Sequence, residues 1–243
     1  MYSTTMLHDT SNMANVTLNE DALAVLLKAA ATDPLREFRF ARRPGIWARR
    51  VARKYSGEIA EDHGPMSRAD LRTLTKAQPD LSDDSILAIC AWGGMRVGHG
   101  AAFWQSRSTW MPVLKSALAP GTTRQEAYRQ LSAARRLGQL PGMGVAYFTK
   151  LIHFLRPELG AYILDQWLGR SVNVLFSSEI IKLTHGATVV SDENSAEVYE
   201  RYCSMIEGLA ERIPVAPDAL EPTLFSYGGR QKGVWRQYVV NNG

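Results

Sequence analysis

The stretch LPGMGVAYFTKLIHFLRPELGAYILDQW, Leu140 to Trp167, gathers residue types that could do chemistry. Gly142 and Gly144 bracket Met143, an apolar helical run follows, and Asp165 then stands alone before Gln-Trp. A carboxylate fixed in direction can stabilise positive charge developing on a sugar, and can orient or deprotonate an attacking water. It can equally be a helix N-cap, a position aspartate favours, and the two roles are compatible because a capping side chain is already aimed. The glycines let the chain turn with φ > 0 and let its backbone approach another surface without a Cβ in the way. The helix that starts beyond them offers free N–H groups and the positive end of its dipole, which suits a phosphate diester. On this reading the grip is Leu140, Pro141, Gly142, Met143, Gly144, Val145 and Ala146. An ordinary helical hairpin with a capped second helix has the same local pattern.

The elements that must position these residues read as helices. Asn19 caps an apolar helical run, and Ser67–Ala77 and Ser82–Trp92 are short helices opened by serine with acid following. Gly93–Gly100 reads as a flexible loop before an aromatic helix near Ala101–Leu118. Thr123–Leu137 is amphipathic, Met143–Leu155 apolar, Asp165–Phe176 follows a turn, and Asp192–Arg212 is long and more acidic. The link Gly138–Gly142 is short enough to make Thr123–Leu137 and Met143–Leu155 close neighbours. Strand alternation appears only near Ala187–Val190, so the fold class is all-α. Residues 1–15 are polar and aperiodic and read as a flexible arm; 16–243 read as the helical domain, with the hairpin at 123–155.

At 243 residues and 45% hydrophobic, the chain can bury a substantial core. A net charge of +4 suits a nucleic-acid binder without requiring one. From Leu35 to Lys54 eight basic residues face one acid, with Phe38, Phe40 and Trp47 interleaved. That run is either a solvated helix face with its aromatics in the core or a phosphate-facing surface. Cys90 and Cys203 lie far apart and read as buried thiols in a reducing compartment, unable to build a zinc or iron–sulfur site. No apolar run reaches membrane-span length and no signal-peptide pattern opens the chain. A cytoplasmic, monomeric protein is expected.

LPGMGVAYFTKLI resembles the helix-hairpin-helix of the DNA glycosylase superfamily that carries a glycine/proline-rich loop and an aspartate. That resemblance is specific over Gly138–Phe176. It implies a two-lobed helical fold and double-stranded DNA containing a modified base as the partner. It also implies Asp165 as the catalytic carboxylate at the start of the helix after the hairpin. AWGGMR and LFSYGG…W are similar to a bacterial oxoguanine-glycosylase-like subgroup. Bifunctional relatives place a Schiff-base lysine two residues after the second hairpin glycine, where this chain has Ala146. The resemblance therefore implies a monofunctional enzyme that uses water and leaves an abasic site. Lys150, four residues later on the same helix face, is a secondary candidate amine, beside the plainer role of a solvated or phosphate-pairing lysine.

The resemblance implies further roles. Met95, Arg96 and His99 are wedge candidates for the gap left by a flipped base. Trp92, Phe225 and Tyr227 are base-pocket candidates, and core aromatics are the plainer reading of such residues. The carbonyls of Gly138, Leu140 and Met143 match a site for K+ or Na+ bridging to phosphate; no other cofactor is implied. His153, inside an apolar helix, reads as a hydrogen-bonded core histidine. Two uses of such an enzyme stay open: repair of oxidised guanine, and removal of a hypermodified base, such as glucosylated hydroxymethylcytosine, from phage DNA as defence. A non-catalytic hairpin module that only holds DNA is the alternative of another class.

Overall fold

The computed structural model describes residues 17–32, 43–57, 59, 64–77, 81–213, 217–225 and 233–243. The arm expected at 1–15, Tyr227 and positions 35–42 of the basic run lie outside the described residues. Among those described there are twelve α-helices: α1 (Glu20–Thr32), α2 (Pro44–Val51), α3 (Arg68–Ala77), α4 (Asp83–Trp92), α5 (Val97–Gln105), α6 (Arg107–Ala117), α7 (Arg124–Arg136), α8 (Val145–Leu155), α9 (Gln166–Leu175), α10 (Ala196–Arg212), α11 (Pro217–Phe225) and α12 (Val234–Asn242). The all-α expectation holds, with one small addition. Strands β1 (Leu183–Thr184) and β2 (Val189–Val190) form an antiparallel hairpin between α9 and α10.

Local chemistry starts many of these helices. Asn19 Oδ1 accepts from Ala22 N, Ser82 Oγ from Ser85 N, Thr123 Oγ1 from Glu126 N and Ser195 Oγ from Val198 N. Ser67 and Asp70 exchange bonds, each side chain taking the other's backbone N–H at the head of α3. Each such cap contributes about 1 kcal/mol by supplying an acceptor to an otherwise orphaned donor.

The helices pack in two groups. α2, α3, α4, α5 and α8 contact one another in the first, and α1, α9, α11 and α12 in the second. α7 touches α6, α8 and α10, so the α7–α8 hairpin joins the groups. α8 is the central strut, with Phe148 to Phe154 all buried. Tyr128 on α7 stacks on Tyr199 of α10 at 4.4 Å and meets Phe148 of α8 edge-on at 5.1 Å.

Two expectations are corrected. The flexible loop read over Gly93–Gly100 ends at Arg96, because α5 begins at Val97. A Cβ on Gly100 would lie 2.5 Å from the Trp47 ring and 2.9 Å from Val51, so this glycine serves the α2–α5 contact rather than flexibility. The aromatic helix expected over Ala101–Leu118 is broken at Ser106, which ends α5 and precedes α6. In the described part of the basic run, Trp47 is buried while Arg43, Arg49 and Arg50 are exposed. Cys90 and Cys203 are free and buried, and burial pushes both thiols up to about 12.

A candidate active-site cleft

Asp165 is delivered by a short extended segment that runs buried through the middle of the protein. Ala161 to Asp165 are all buried, yet they belong to no helix or sheet, so their backbone groups need partners from side chains. Four side chains supply them. His153 Nδ1 bonds Ala161 O at 2.7 Å, Tyr199 Oη donates to Tyr162 O at 2.8 Å, Tyr202 Oη donates to Ile163 O at 2.5 Å, and Leu164 N donates to Thr149 Oγ1 at 3.1 Å. The turn before the segment uses Gly160 at φ 57°, and Arg124 Nη1 donates to its carbonyl at 2.9 Å. The same guanidinium holds Glu200 and Glu207 of α10.

At the end of this splinted segment Asp165 is 9% exposed. Its Oδ1 accepts from Trp167 N at 2.9 Å and Leu168 N at 3.1 Å, capping α9. Its Oδ2 has no hydrogen-bond partner among the described residues. One oxygen therefore fixes the direction of the carboxylate and the other is left for chemistry. A cap on α9 and an open carboxylate oxygen are thus combined in one geometry.

The carboxylate lines a cleft of about 620 Å³ whose walls come from both helix groups. One wall is the hairpin: Gly142, Gly144, Val145, Ala146, Tyr147 and Lys150. Gly138 at φ 73° closes α7, with Gln139 N bonding Ala134 O and Gly138 N bonding Arg135 O. Gly142 is also at φ 73°, and a Cβ there would lie 2.4 Å from His99 O, so the surface it approaches is the protein's own α5. Gly144 differs. It is extended at φ −91°, no side chain caps α8 there, and a Cβ would meet nothing within 4 Å. Tyr147 N and Phe148 N return to Gly144 O, which leaves the first N–H groups of α8, on the cleft-lining Val145 and Ala146, without an intrahelical acceptor.

Two of the three carbonyls implied for a monovalent cation are already engaged within the protein. Met143 O accepts from Arg135 Nη1 at 2.6 Å and Leu140 O from Met143 N at 3.2 Å. Arg135, also paired to Asp192, brings a guanidinium to the place where the resemblance put a metal ion. Pro141 is half-buried beside this turn, and Leu140 and Met143 are core residues.

The structure sorts the remaining candidates. Arg96 and His99 are exposed and line the cleft; Met95 is fully buried and its carbonyl accepts from Trp47 Nε1 at 2.8 Å, so it has no route to a DNA gap. Trp92 belongs to the core rather than the cleft, edge-on to Phe154 at 5.1 Å with Arg68 over its ring. Phe225 does line the cleft. His153 is the hydrogen-bonded core histidine expected: its Nδ1–H serves Ala161 O, and Nε2 faces Arg68 at 3.2 Å and Arg72 at 3.5 Å. Burial pushes its pKa down. Lys150 is neither solvated nor an outward phosphate ligand; it is 7% exposed and bordered by the cleft.

Sequence reasoning did not assign the opposite wall. Trp167 lines the cleft, and the Arg236 guanidinium of α12 stacks 3.5 Å over its ring while donating to Phe225 O. Burial lowers Arg236 to about 10 against the pull of Asp165. Thr188 and Val189 of the β-hairpin complete this side, and Val189 is 46% exposed. Asn173 clamps Ile181 and Asn194 clamps Lys182, each through a pair of backbone bonds, so the root of the β-hairpin is rigid. The Gln-Trp after Asp165, the alternation near Ala187–Val190 and the LFSYGG…W stretch that ends beside Arg236 were the signals within reach, but none of them shows that these segments meet across one cleft.

Comparison with curated proteins gave no match, and comparison with solved structures gave none. Among the described residues no helix is long and apolar enough to cross a membrane, and no three His, Cys, Asp or Glu side chains gather as a metal site would need. A family model described as "Putative 8-oxoguanine DNA glycosylase OGG-like protein" matches residues 17–225, which takes in the hairpin, Asp165, Trp167 and Phe225, while Arg236 lies beyond the match. The chain belongs to this OGG-like DNA glycosylase family.

Proposed function

We propose that the protein hydrolyses the N-glycosidic bond of a modified base flipped out of duplex DNA, leaving an abasic site. The observation that carries this reading is Asp165, with one oxygen spent on the α9 cap and the other open, in the same cleft as the uncapped start of α8. The α8 N–H groups take a backbone phosphate next to the target nucleotide. Arg96 and His99 approach the gap the base leaves, and Trp167 and Phe225 flank the base itself. As the C1′–N bond lengthens, positive charge grows on the sugar. Asp165 stabilises it and directs a water to C1′. Ala146 offers no amine at the position of the bifunctional lysine, so the strand is left uncut. The enzyme acts as a monomer in the cytoplasm.

Two substrates are compatible with this chemistry. A cleft of about 620 Å³ is in the range that holds a drug-sized ligand, roomier than a bare purine needs. Its polar lining of Arg96, His99, Gln166 and Thr188 offers donors to a hydroxyl-rich substituent. These features favour a hypermodified base such as glucosylated hydroxymethylcytosine, and hence phage defence. The family match favours 8-oxoguanine and repair. Incubation with phage DNA bearing glucosylated cytosines and with an 8-oxoguanine duplex separates them, with abasic sites counted before and after alkali. Release from the phage DNA with alkali-dependent breaks is the expected result. Breaks without alkali would contradict the monofunctional reading, and release of 8-oxoguanine alone would contradict the hypermodified substrate.

A further inference from the structure

Cleaving an N-glycosidic bond separates charge: the sugar becomes positive and the departing base negative. Asp165 serves the first of these only. A second ionisable group, Lys150, lies in the same cleft on a different element and forms no ion pair with Asp165. An ammonium has three donors. Lys150 Nζ gives one to Ala146 O at 3.0 Å, and Tyr147 lies 5.7 Å from it; no other acceptor takes its hydrogens among the described residues. Burying a charge so sparsely partnered is costly unless a ligand takes the remaining donors. The stem of the lysine lies across Gly93, where a Cβ would sit 2.9 Å from Cδ, so the first glycine of AWGGMR clears its path.

We propose that Lys150 is the proton donor to the departing base, an inference that rests on the glycosylase reading above. In this step the C1′–N bond breaks and its electron pair passes to the base, which takes a proton from Lys150 Nζ. Water oxygen bonds to C1′ and the water's proton passes to Asp165. Asp165 then returns that proton to the Lys150 amine, directly or through water, and the enzyme is restored. One water is consumed, and the products are the free base and an abasic sugar. The groups that set the acidity of Lys150 are Asp165 at the head of α9, Glu221 on α11, Arg68 on α3 and Cys90 on α4. Burial lowers its pKa against the pull of the two carboxylates, which makes the proton easier to give up.

The test is single-turnover base release from the glucosylated-cytosine DNA and the 8-oxoguanine duplex, across pH, for wild type, Lys150→Met and Lys150→Ala. Methionine keeps an unbranched stem without the buried charge, and thermal melting checks that both variants fold. Wild-type release is expected to fall on the alkaline side as Lys150 loses its proton. Both variants should lose roughly 10²-fold in rate, together with that alkaline limb, while binding the duplex. Ethylammonium added to Lys150→Ala should restore part of the rate and leave the strand uncut. A variant as fast as wild type, or a slow variant that keeps the alkaline limb, would overturn the inference alone. So would trapping of wild-type enzyme on DNA by borohydride, which would make the amine a nucleophile. Release of neither base by wild type would overturn the inference together with the function it rests on.

Discussion

Replacing each hairpin glycine by alanine in turn separates the folding role of the turn from its DNA role. Gly138 and Gly142 share φ 73°, where a Cβ costs roughly 1–2 kcal/mol. At Gly138 nothing lies within 4 Å, so strain is the whole effect. At about 2–4 °C per kcal/mol for a chain of this size, Gly138→Ala should melt a few degrees lower. Gly142→Ala adds a contact of 2.4 Å with His99 O and 2.9 Å with its carbonyl carbon, backbone atoms that cannot swing aside. Overpacking of this kind costs roughly 1–3 kcal/mol more, so the total is about 2–5 kcal/mol and the drop in Tm is on the order of 10 °C. Gly144→Ala is the counterpart. Its φ of −91° suits any residue and its surroundings are open, so stability should stay within about 0.5 kcal/mol of wild type. Its new methyl would stand before the free N–H groups of α8, and DNA affinity should fall about tenfold, or roughly 1.4 kcal/mol. Thermal melts and a duplex-binding titration at fixed salt give both readouts. Gly142→Ala as mild as Gly138→Ala would refute the α5 contact. Unchanged affinity in Gly144→Ala would refute the phosphate grip.

Two further substitutions test how Asp165 is held. Tyr202→Phe removes the donor to Ile163 O and leaves a buried carbonyl unpaired, a cost of about 1–3 kcal/mol; base release should slow more than DNA binding weakens, and an unchanged release rate would show that the splint does not aim the carboxylate. His153 is held neutral by burial, with its pKa below the ordinary 6.5. The unfolded chain therefore takes up a proton below about pH 6.5 that the folded chain refuses, and stability falls with acid by up to about 1.4 kcal/mol per pH unit. Glu221 works in the same direction at lower pH, since Arg68 holds its carboxyl below the ordinary 4.5 against the opposing effect of burial. His153→Asn, whose amide nitrogen can still serve Ala161 O, should flatten denaturation midpoints between pH 6.5 and 5; a midpoint that still falls as steeply as in wild type would remove His153 from the account.

What could be read from the sequence was local. Caps at Asn19, Ser67, Ser82 and Thr123 announce themselves because capping couples a side chain to a donor two or three residues on. Asp165 and the hairpin were legible for the same reason, as a turn, a helix start and a cap in one stretch. The splint of Asp165 was not, because Tyr199 and Tyr202 bond carbonyls 37 and 39 residues away. Gly98 and Gly100 resembled a loop because glycine weakens a helix, yet Trp47 across the α2–α5 contact repays that weakness by packing on Gly100. Asp192 looked like the start of a long helix; Ser195 caps it instead, and Asp192 pairs with Arg135 near the cleft. Met95 and Trp92 were credible site residues by position alone, and only burial assigns them to the core.

The central claim is that the carboxylate of Asp165 carries the chemistry while the hairpin carries the binding, and one variant addresses both. Asparagine caps a helix as well as aspartate does, so Asp165→Asn should fold and keep Trp167 in place. The decisive measurement is single-turnover base release beside the duplex dissociation constant, for wild type and Asp165→Asn, on the DNA that wild type cleaves. The account predicts that release falls by at least about 10²-fold while affinity is unchanged or tighter, since one negative charge near the phosphates is gone. Release that survives in Asp165→Asn would contradict it, and so would a loss of release matched by an equal loss of binding.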